Sequence, residues 1–368
     1  MIIGVNTRML LPGVKEGITR YIHETVSRMV IAHPEDTFHF YFDRPYDNKY
    51  IYGPNVVPHI VRPPARHPIL WNLWFDYMLP RRMKRDGVEA LYTGDGYASL
   101  RTETPQLLVS HDLAFEHFDD LIYSHHLRYL RKYVNRFHKT AKSIIAVSET
   151  TKQDIINTYK IAPGKITVAG NSTSMQVSNI VDKSIAQGSD YFIYIGSLNP
   201  RKNIVRMIQA FDKFKEYHKT DHKLVILGRL AWKSEQIAET MTSASFAKDI
   251  IHVKDKVEDV NTLISNASAL IYPSLFEGFG IPILEGFACD TPVITSNIGS
   301  MSEVAQDAAI KINPLSVGDI AKAMHLVISD KTIREKCINL GRERLSAYSW
   351  DDTAATTYQE LINLVANG

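Results

Sequence analysis

Cysteine is scarce in this chain of 368 residues: Cys289 and Cys337 are the only two. That number supports neither a disulfide framework nor a cysteine-based zinc site. A charge excess is also missing, since 42 Lys and Arg face 40 Asp and Glu for a formal net charge of +2, and this argues against a dedicated nucleic-acid binder. No apolar run reaches the roughly 18 residues of an ordinary spanning helix. The first residues, MIIGVNTRMLLPG, are broken at Gly4, Asn6 and Arg8, so they read as a first strand with no cleavable apolar core. The cytoplasm is the expected location. Nowhere do two aspartates stand two apart, which removes the usual cue for a metal-held diphosphate. His218 and His222 have zinc-like spacing, yet HKTDH lacks a metalloprotease glutamate and precedes a strand, so it reads as a polar turn. No metal site and no cofactor are expected.

What is present is a soluble, globular composition, 45% apolar and 22% charged, over a length that exceeds one core and points to two domains. Short β-rich runs alternate with longer helical patterns. In the first half they are residues 2–5, 38–42, 89–93, 106–110 and 143–148, and in the second 191–196, 223–228, 250–253, 269–274 and 292–296. Continuous apolar strands separated by helices mean parallel sheets covered on both faces. The polar, weakly periodic stretch 172–190 reads as a linker. The expectation is an α/β protein with two Rossmann-like, parallel-sheet domains facing each other across a cleft, with ligands beyond the carboxyl ends of the strands. A final helix follows residue 350, opened by Asp351 and Asp352 and spaced through Ala355, Tyr358, Leu361 and Leu364.

Residues 276–295, FEGFGIPILEGFACDTPVIT, carry the most chemistry. A carboxylate in an apolar stretch is costly unless something pairs with it. Gly278 and Gly280 permit a tight loop, and Pro282 suits the start of a helix. The pattern places Glu277 on the loop and Glu285 in the first helical turn. Backbone N–H groups of Gly278, Phe279, Gly280 and Ile281 then sit at a helix N-terminus, which attracts phosphate. Carboxylates accept hydrogen bonds from hydroxyls, so two of them flanking an anion site suit a ligand hydroxylated at both ends with anionic charge between, the layout of a nucleotide sugar. Two ordinary N-terminal helix acids are the alternative from this stretch alone.

A second stretch, GSLNPRKN (196–203), follows a strand, putting Gly196 at its end and Arg201 and Lys202 within reach of phosphates; a solvated basic patch is the alternative. Gly228 and Lys233 lie at a similar strand end. In LVSHDLAFE (108–116), His111 and Asp112 come directly after a strand, where the histidine is either structural or a contact for a sugar hydroxyl or phosphate. Gly13 and Gly17 lie in a loop before a helix that lacks the ending of a nucleotide-triphosphate loop, and they fit an acceptor-side or phosphate-side loop. GDGYAS (94–99) imitates a dinucleotide loop but has Ser99 where glycine or alanine is wanted.

Glu277, seven residues and Glu285, together with GSLNPRKN, HDLAF, SIIAVSETTKQDI (143–155) and YSWDDTA (348–354), resemble glycosyltransferase family 4, retaining enzymes of the two-domain GT-B fold. The resemblance covers nearly the whole chain. It implies a first domain of residues 1–171 plus the terminal helix at about 351–368, the 172–190 linker, and a nucleotide-sugar domain of 191–350. By resemblance Glu277 holds donor-sugar hydroxyls beside the diphosphate, Glu285 binds the ribose, Arg201 and Lys202 neutralise the diphosphate, and His111 sits near the sugar. It further implies retention at the anomeric carbon by front-face attack. The family often has glycine where this chain has Asp290, and the usual glycine after Asn171 is absent. RHPILWNLWFDYMLP (66–80) with HDLAFEHFDD is similar to bacterial enzymes that build O-antigen and other surface polysaccharides, frequently mannosyltransferases. The implied partners are a nucleotide-sugar donor, mannosyl as the leading choice, and a glycan or lipid-linked acceptor at the inner face of the membrane.

Residues 124–142 carry Arg128, Arg131, Lys132, Arg136, Lys139 and Lys142 with no acid, while Leu127, Leu130, Val134 and Phe137 fall at helical spacing. Either that apolar stripe packs on the first domain's core, or it meets a membrane; both readings expose the cations to an anionic surface. Two other function classes stay open. A sugar hydrolase could use Glu277 and Glu285 as an acid and nucleophile pair, which leaves Arg201 and Lys202 without a task, and a non-catalytic nucleotide-sugar sensor would bind the donor and transfer nothing.

Overall fold

A computed structural model describes residues 1–11, 17–118, 124–254 and 257–366, which form two compact units, Met1–Asn171 with Ser349–Gly368, and Ser172–Tyr348. Gly13 lies outside the described residues.

In the first unit the strands are β1 (Ile2–Asn6), β2 (Thr37–Phe42), β3 (Val56–Ile60), β4 (Ala90–Thr93), β5 (Gln106–Ser110), β6 (Ser143–Ala146) and β7 (Ile166–Val168). Its helices are α1 (Gly17–Ala32), α2 (Pro68–Leu73), α3 (Leu79–Asp86), α4 (Ala114–His117), α5 (Ser124–Thr140) and α6 (Glu149–Tyr159), with a π-helical turn, Trp74–Met78, joining α2 to α3. The sheet is parallel, in the order β3-β2-β1-β4-β5-β6-β7. Strands β4, β5 and β6 are buried at every position, as helices on both faces of a parallel sheet require.

The second unit contains β8 (Tyr191–Ile195), β9 (Lys223–Leu227), β10 (Ile250–Val253), β11 (Ala269–Tyr272), β12 (Val293–Ser296) and β13 (Ile310–Ile312), in the parallel order β10-β9-β8-β11-β12-β13. Helices α7 (Ile204–His218), α8 (Glu235–Ser243), α9 (Val260–Ser265), α10 (Ile281–Ala288), α11 (Gly299–Ala305), α12 (Val317–Ser329) and α13 (Lys331–Leu345) connect them. Side-chain caps define several starts: Ser316 accepts from the Asp319 N–H ahead of α12, and Asp330 from the Ile333 N–H ahead of α13. Stretch 172–190 is irregular apart from a short turn, Ser184–Ala186, and is tied to the second unit by Ser178 N–H on Ser265 Oγ (3.0 Å) and Asn266 Nδ2 on the Ile180 carbonyl (2.8 Å).

The last helix, α14 (Trp350–Ala366), belongs to the first unit. Glu360 accepts from Ser143 Oγ (2.6 Å) and Thr167 Oγ1 (2.9 Å), Tyr358 donates to Asp36 (2.6 Å), and Asp351 pairs with Arg28 (2.6 Å).

Three strands escape the sequence reading: β3, β7 and β13. All three are edge strands. Strand β3 carries Pro58 and is exposed at Val57 and Ile60, while β7 and β13 have three residues each, so none shows a long apolar run. Asp290, at the position where glycine is common, adopts a left-handed backbone with φ of 56°. Its carboxylate accepts a two-bond fork from Arg342 on α13, both at 2.7 Å, which gives the strained residue a task that glycine could not perform.

Candidate active site

In each sheet the strand order reverses once between strands consecutive in space but not in sequence, at β1/β4 and at β8/β11. The loops beyond the carboxyl ends at such a point are where open parallel sheets hold ligands. In the second unit the loops after β8 and β11 carry most of the residues singled out above.

Gly196 directly follows β8 and Gly228 directly follows β9. A Cβ on Gly228 would stand 1.8 Å from the Gly196 carbonyl oxygen, so the two strand ends approach as only glycine allows. The next turn, Pro200–Lys202, is pinned by Asn203, whose Nδ2 donates to the carbonyls of Pro273 (3.0 Å) and Pro314 (2.7 Å), and by the Leu275 N–H on the Arg201 carbonyl (2.9 Å). This fixes Arg201 and Lys202 against the loop that follows β11.

There they meet Glu277. Lys202 Nζ lies 2.5 Å from Glu277 Oε1 and 2.7 Å from the Tyr272 hydroxyl, while Arg201 Nη1 lies 3.1 Å from Glu277 Oε2 and donates to the Phe276 carbonyl at 3.0 Å. Burial by itself would raise the carboxyl's pKa, but the two cations outweigh it and hold Glu277 down to about 2. Ser300 Oγ fixes the Glu277 carbonyl at 2.7 Å. The sequence reading sends Arg201 and Lys202 to a phosphate and Glu277 to hydroxyls; in the structure the three form one buried cluster with a net charge of +1.

Helix α10 begins at Ile281, after Gly280 with φ of 104°. Pro282 is therefore the second helical residue, and Glu285 falls in the second turn, correcting its expected place in the first. The shift arises because the left-handed Gly280, two residues before the proline, starts the helix at Ile281. Glu285 is buried. Phe279 packs its ring edge-on against Tyr348, centroids 5.3 Å apart, so only its backbone can meet a ligand. Gly278 and Gly280 flank it in the loop.

In the first unit His111 follows β5, its Nε2 on the Gly94 carbonyl at 2.8 Å and its ring edge-on to Tyr21. Burial lowers its pKa, which keeps the imidazole neutral near pH 7. Asp112 instead accepts from the N–H of Ala114, the first residue of α4 (3.0 Å). Gly17 is the exposed first residue of α1.

Sequence reasoning missed a second buried cluster at the β1/β4 reversal. Arg8 Nε pairs with Asp95 Oδ2 at 2.7 Å, Asn6 Nδ2 donates to Asp95 Oδ1 at 3.0 Å, and the Arg8 guanidinium lies 4.4 Å from the Tyr97 ring centroid. The signal was Asp95 inside GDGYAS, a motif set aside for its failed dinucleotide pattern, next to a strand-end arginine.

Metal spacing was likewise absent from the sequence, yet among the described residues His39, His59 and Asp86 come together. Their partners lie on separate elements, so no short motif announces them. His222, by contrast, bonds Thr220 and stacks on Phe192, as a polar turn should.

Two parallel-sheet units, each with charged groups at its strand reversal, define a GT-B glycosyltransferase architecture. The chain superposes along its whole length on sucrose-phosphate synthase from Thermosynechococcus elongatus (TM-score 0.78, 15% identity, 100% of both chains) and over 98% of its length on 99% of WaaG, a glycosyltransferase involved in lipopolysaccharide biosynthesis (TM-score 0.73, 13% identity). Residues 177–344 match the model for glycosyl transferases group 1, and residues 16–175 that for Glycosyltransferase Family 4. The O-antigen chain mannosyltransferase RfbU of Salmonella typhimurium is 30% identical over 273 residues, 71% of each chain, and the O-antigen chain mannosyltransferase B of Escherichia coli is 26% identical over 309 residues, 79% of this chain and 80% of the relative. The protein belongs to this family of glycosyltransferases and is an enzyme of that class.

Proposed function

We propose that the enzyme moves a sugar, mannose as the first choice, from a nucleoside-diphosphate sugar to a glycan or lipid-linked acceptor in the synthesis of a surface polysaccharide. The observation that carries this is the Arg201–Lys202–Glu277 cluster beyond β8 and β11. Its two cations meet the diphosphate and stabilise the charge that develops as it leaves, and the carboxylate accepts hydrogen bonds from sugar hydroxyls. Glu285, one turn inside α10, takes the ribose hydroxyls, and His111 contacts the sugar. Similarity to the O-antigen mannosyltransferases supports the mannosyl donor, and the related fold of Anabaena HepE, solved with UDP-glucose (TM-score 0.73, 14% identity), supports a nucleotide sugar. Transfer proceeds with retention and without a divalent ion. A hydrolase is disfavoured because it would leave Arg201 and Lys202, the two cations held against Glu277, without a task.

The acceptor brings the enzyme to an anionic membrane. In the structure Val134 and Phe137 of α5 pack in the first unit's core beside partly buried Leu130, and Leu127 is buried, so the helix offers the membrane chiefly its cations. Apolar contact comes instead from Ile69, Leu73 and Tyr77, exposed at four-residue spacing along α2 and the π-helical turn. This stripe adjoins α5 through Tyr129 on Asn72 (2.9 Å).

Incubation with a panel of nucleotide sugars tests the reading. Acceptor-dependent release of nucleoside diphosphate is expected; binding without turnover would mean a sensor, and glycan cleavage without nucleotide a hydrolase.

A further inference from the structure

Strands β2 and β3 pair in parallel with Tyr41 opposite His59, so His39, two residues before Tyr41, shares a face with both. Helix α3 covers that face and ends at Asp86. The outcome is a compact triangle: His39 Nδ1 to His59 Nε2 is 2.7 Å, and Asp86 Oδ2 is 3.7 Å from the first and 3.6 Å from the second. The three side chains are 12%, 9% and 10% exposed. We propose that His39, His59 and Asp86 form a three-ligand site for a divalent transition-metal ion of the zinc, cobalt and nickel class.

The edges bracket the roughly 3.3 Å separation of ligands around a tetrahedral ion with bonds of about 2.0–2.1 Å. The short edge is the one occupied by a proton. The imidazole planes differ by 10° with centroids 5.0 Å apart, the head-to-head arrangement of an N–H···N hydrogen bond, and an ion entering there takes the proton's place as each ring turns its lone pair toward it. Two imidazole nitrogens and one carboxylate select a borderline metal over magnesium or calcium, which prefer all-oxygen shells. The carboxylate is already oriented from behind, by the Tyr41 hydroxyl on Oδ2 (2.9 Å) and by Arg82 Nε on Oδ1 (3.0 Å) and Oδ2 (2.8 Å), the kind of outer support that ligating carboxylates receive.

Arg82 is also the competitor. Its Nη2 lies 2.8 Å from His59 Nδ1, and that bond holds only while Nδ1 is an acceptor. A metal on Nε2 leaves the proton on Nδ1, so Arg82, 42% exposed, must swing its tip into water. Without metal Arg82 supplies the positive charge beside Asp86; with metal the ion clamps proline-bearing edge strand β3 to β2 and α3. Both histidines lie within their strands rather than in the loops beyond the carboxyl ends, so the site is structural and independent of the transfer reaction proposed above.

The test uses the full chain, freed of any affinity tag and stripped by chelator. Cobalt(II) is expected to bind one per chain with the strong visible absorption of a tetrahedral complex, and zinc to raise the thermal midpoint. His39→Gln with His59→Gln should abolish both effects, and Arg82→Gln should tighten cobalt binding by about tenfold or more, since it removes a like charge next to the ion. Nucleotide-sugar turnover should be the same for stripped and zinc-loaded enzyme. An unchanged aqueous cobalt spectrum with the wild-type chain overturns the site, as does equal binding by the double variant or weaker binding by Arg82→Gln.

Discussion

Glu277 shows how a single residue's electrostatics can be read in both stability and rate. Its carboxyl is depressed from 4.5 to about 2, so the stabilisation it gives is complete above the unfolded value and is lost as pH falls toward 2. A shift of this size corresponds to on the order of 3 kcal/mol. Acid unfolding of the wild type should steepen across that window, whereas Glu277→Gln, less stable at pH 7 because buried Lys202 and largely buried Arg201 lose their carboxylate, should change less there; parallel acid titrations by circular dichroism check this. In folded variants, Glu277→Gln should lower kcat and Glu285→Gln should mainly raise the donor KM, because the proposed function sets one at the reacting sugar and the other at the remote ribose. Equal effects on both parameters would refute the division. The place of Glu277 in the loop before α10 was legible from the glycines around it, and that of Arg201 and Lys202 from the strand they follow. Their union with Glu277 was not, since a separation of 75 residues closes only when β8 and β11 lie side by side. Arg8 and Asp95 were hidden for the same reason.

Among elements, the central strands were legible from unbroken apolar runs, which burial on both faces demands. Edge strands β3, β7 and β13 were not, because solvent on one side removes that demand. At the glycine contact between strand ends, Gly228→Ala should destabilise the second unit by about 1–3 kcal/mol, as a methyl group cannot share space with the Gly196 carbonyl; an unchanged thermal midpoint would show that the strands part freely. Helix α5 shows the limit of periodicity, which detects an amphipathic face but not what covers it. With its apolar side in the core, its exposed cations can contribute about 1 kcal/mol each near an anionic bilayer. Vesicle sedimentation should rise with anionic lipid and fall with salt. Converting Arg128, Arg131, Lys132 and Arg136 to Gln should weaken it, and Leu73→Ser should weaken what remains at high salt; binding that ignores both changes would leave a soluble acceptor as the better account.

For the molecule as a whole, the proposed function divides the labour between two units of one architecture: the second, with its cation–carboxylate cluster, would take the nucleotide sugar, and the first, with its basic helix α5, the acceptor. No described helix is long and apolar enough to cross a membrane. In the proposed function Arg201 and Lys202 stabilise the departing diphosphate. The most direct measurement is the acceptor-dependent rate of nucleoside-diphosphate release by the folded double variant, Arg201→Ala with Lys202→Ala, beside the wild type at saturating donor. A fall of at least about 10²–10³-fold is predicted; near-normal turnover would contradict the assignment.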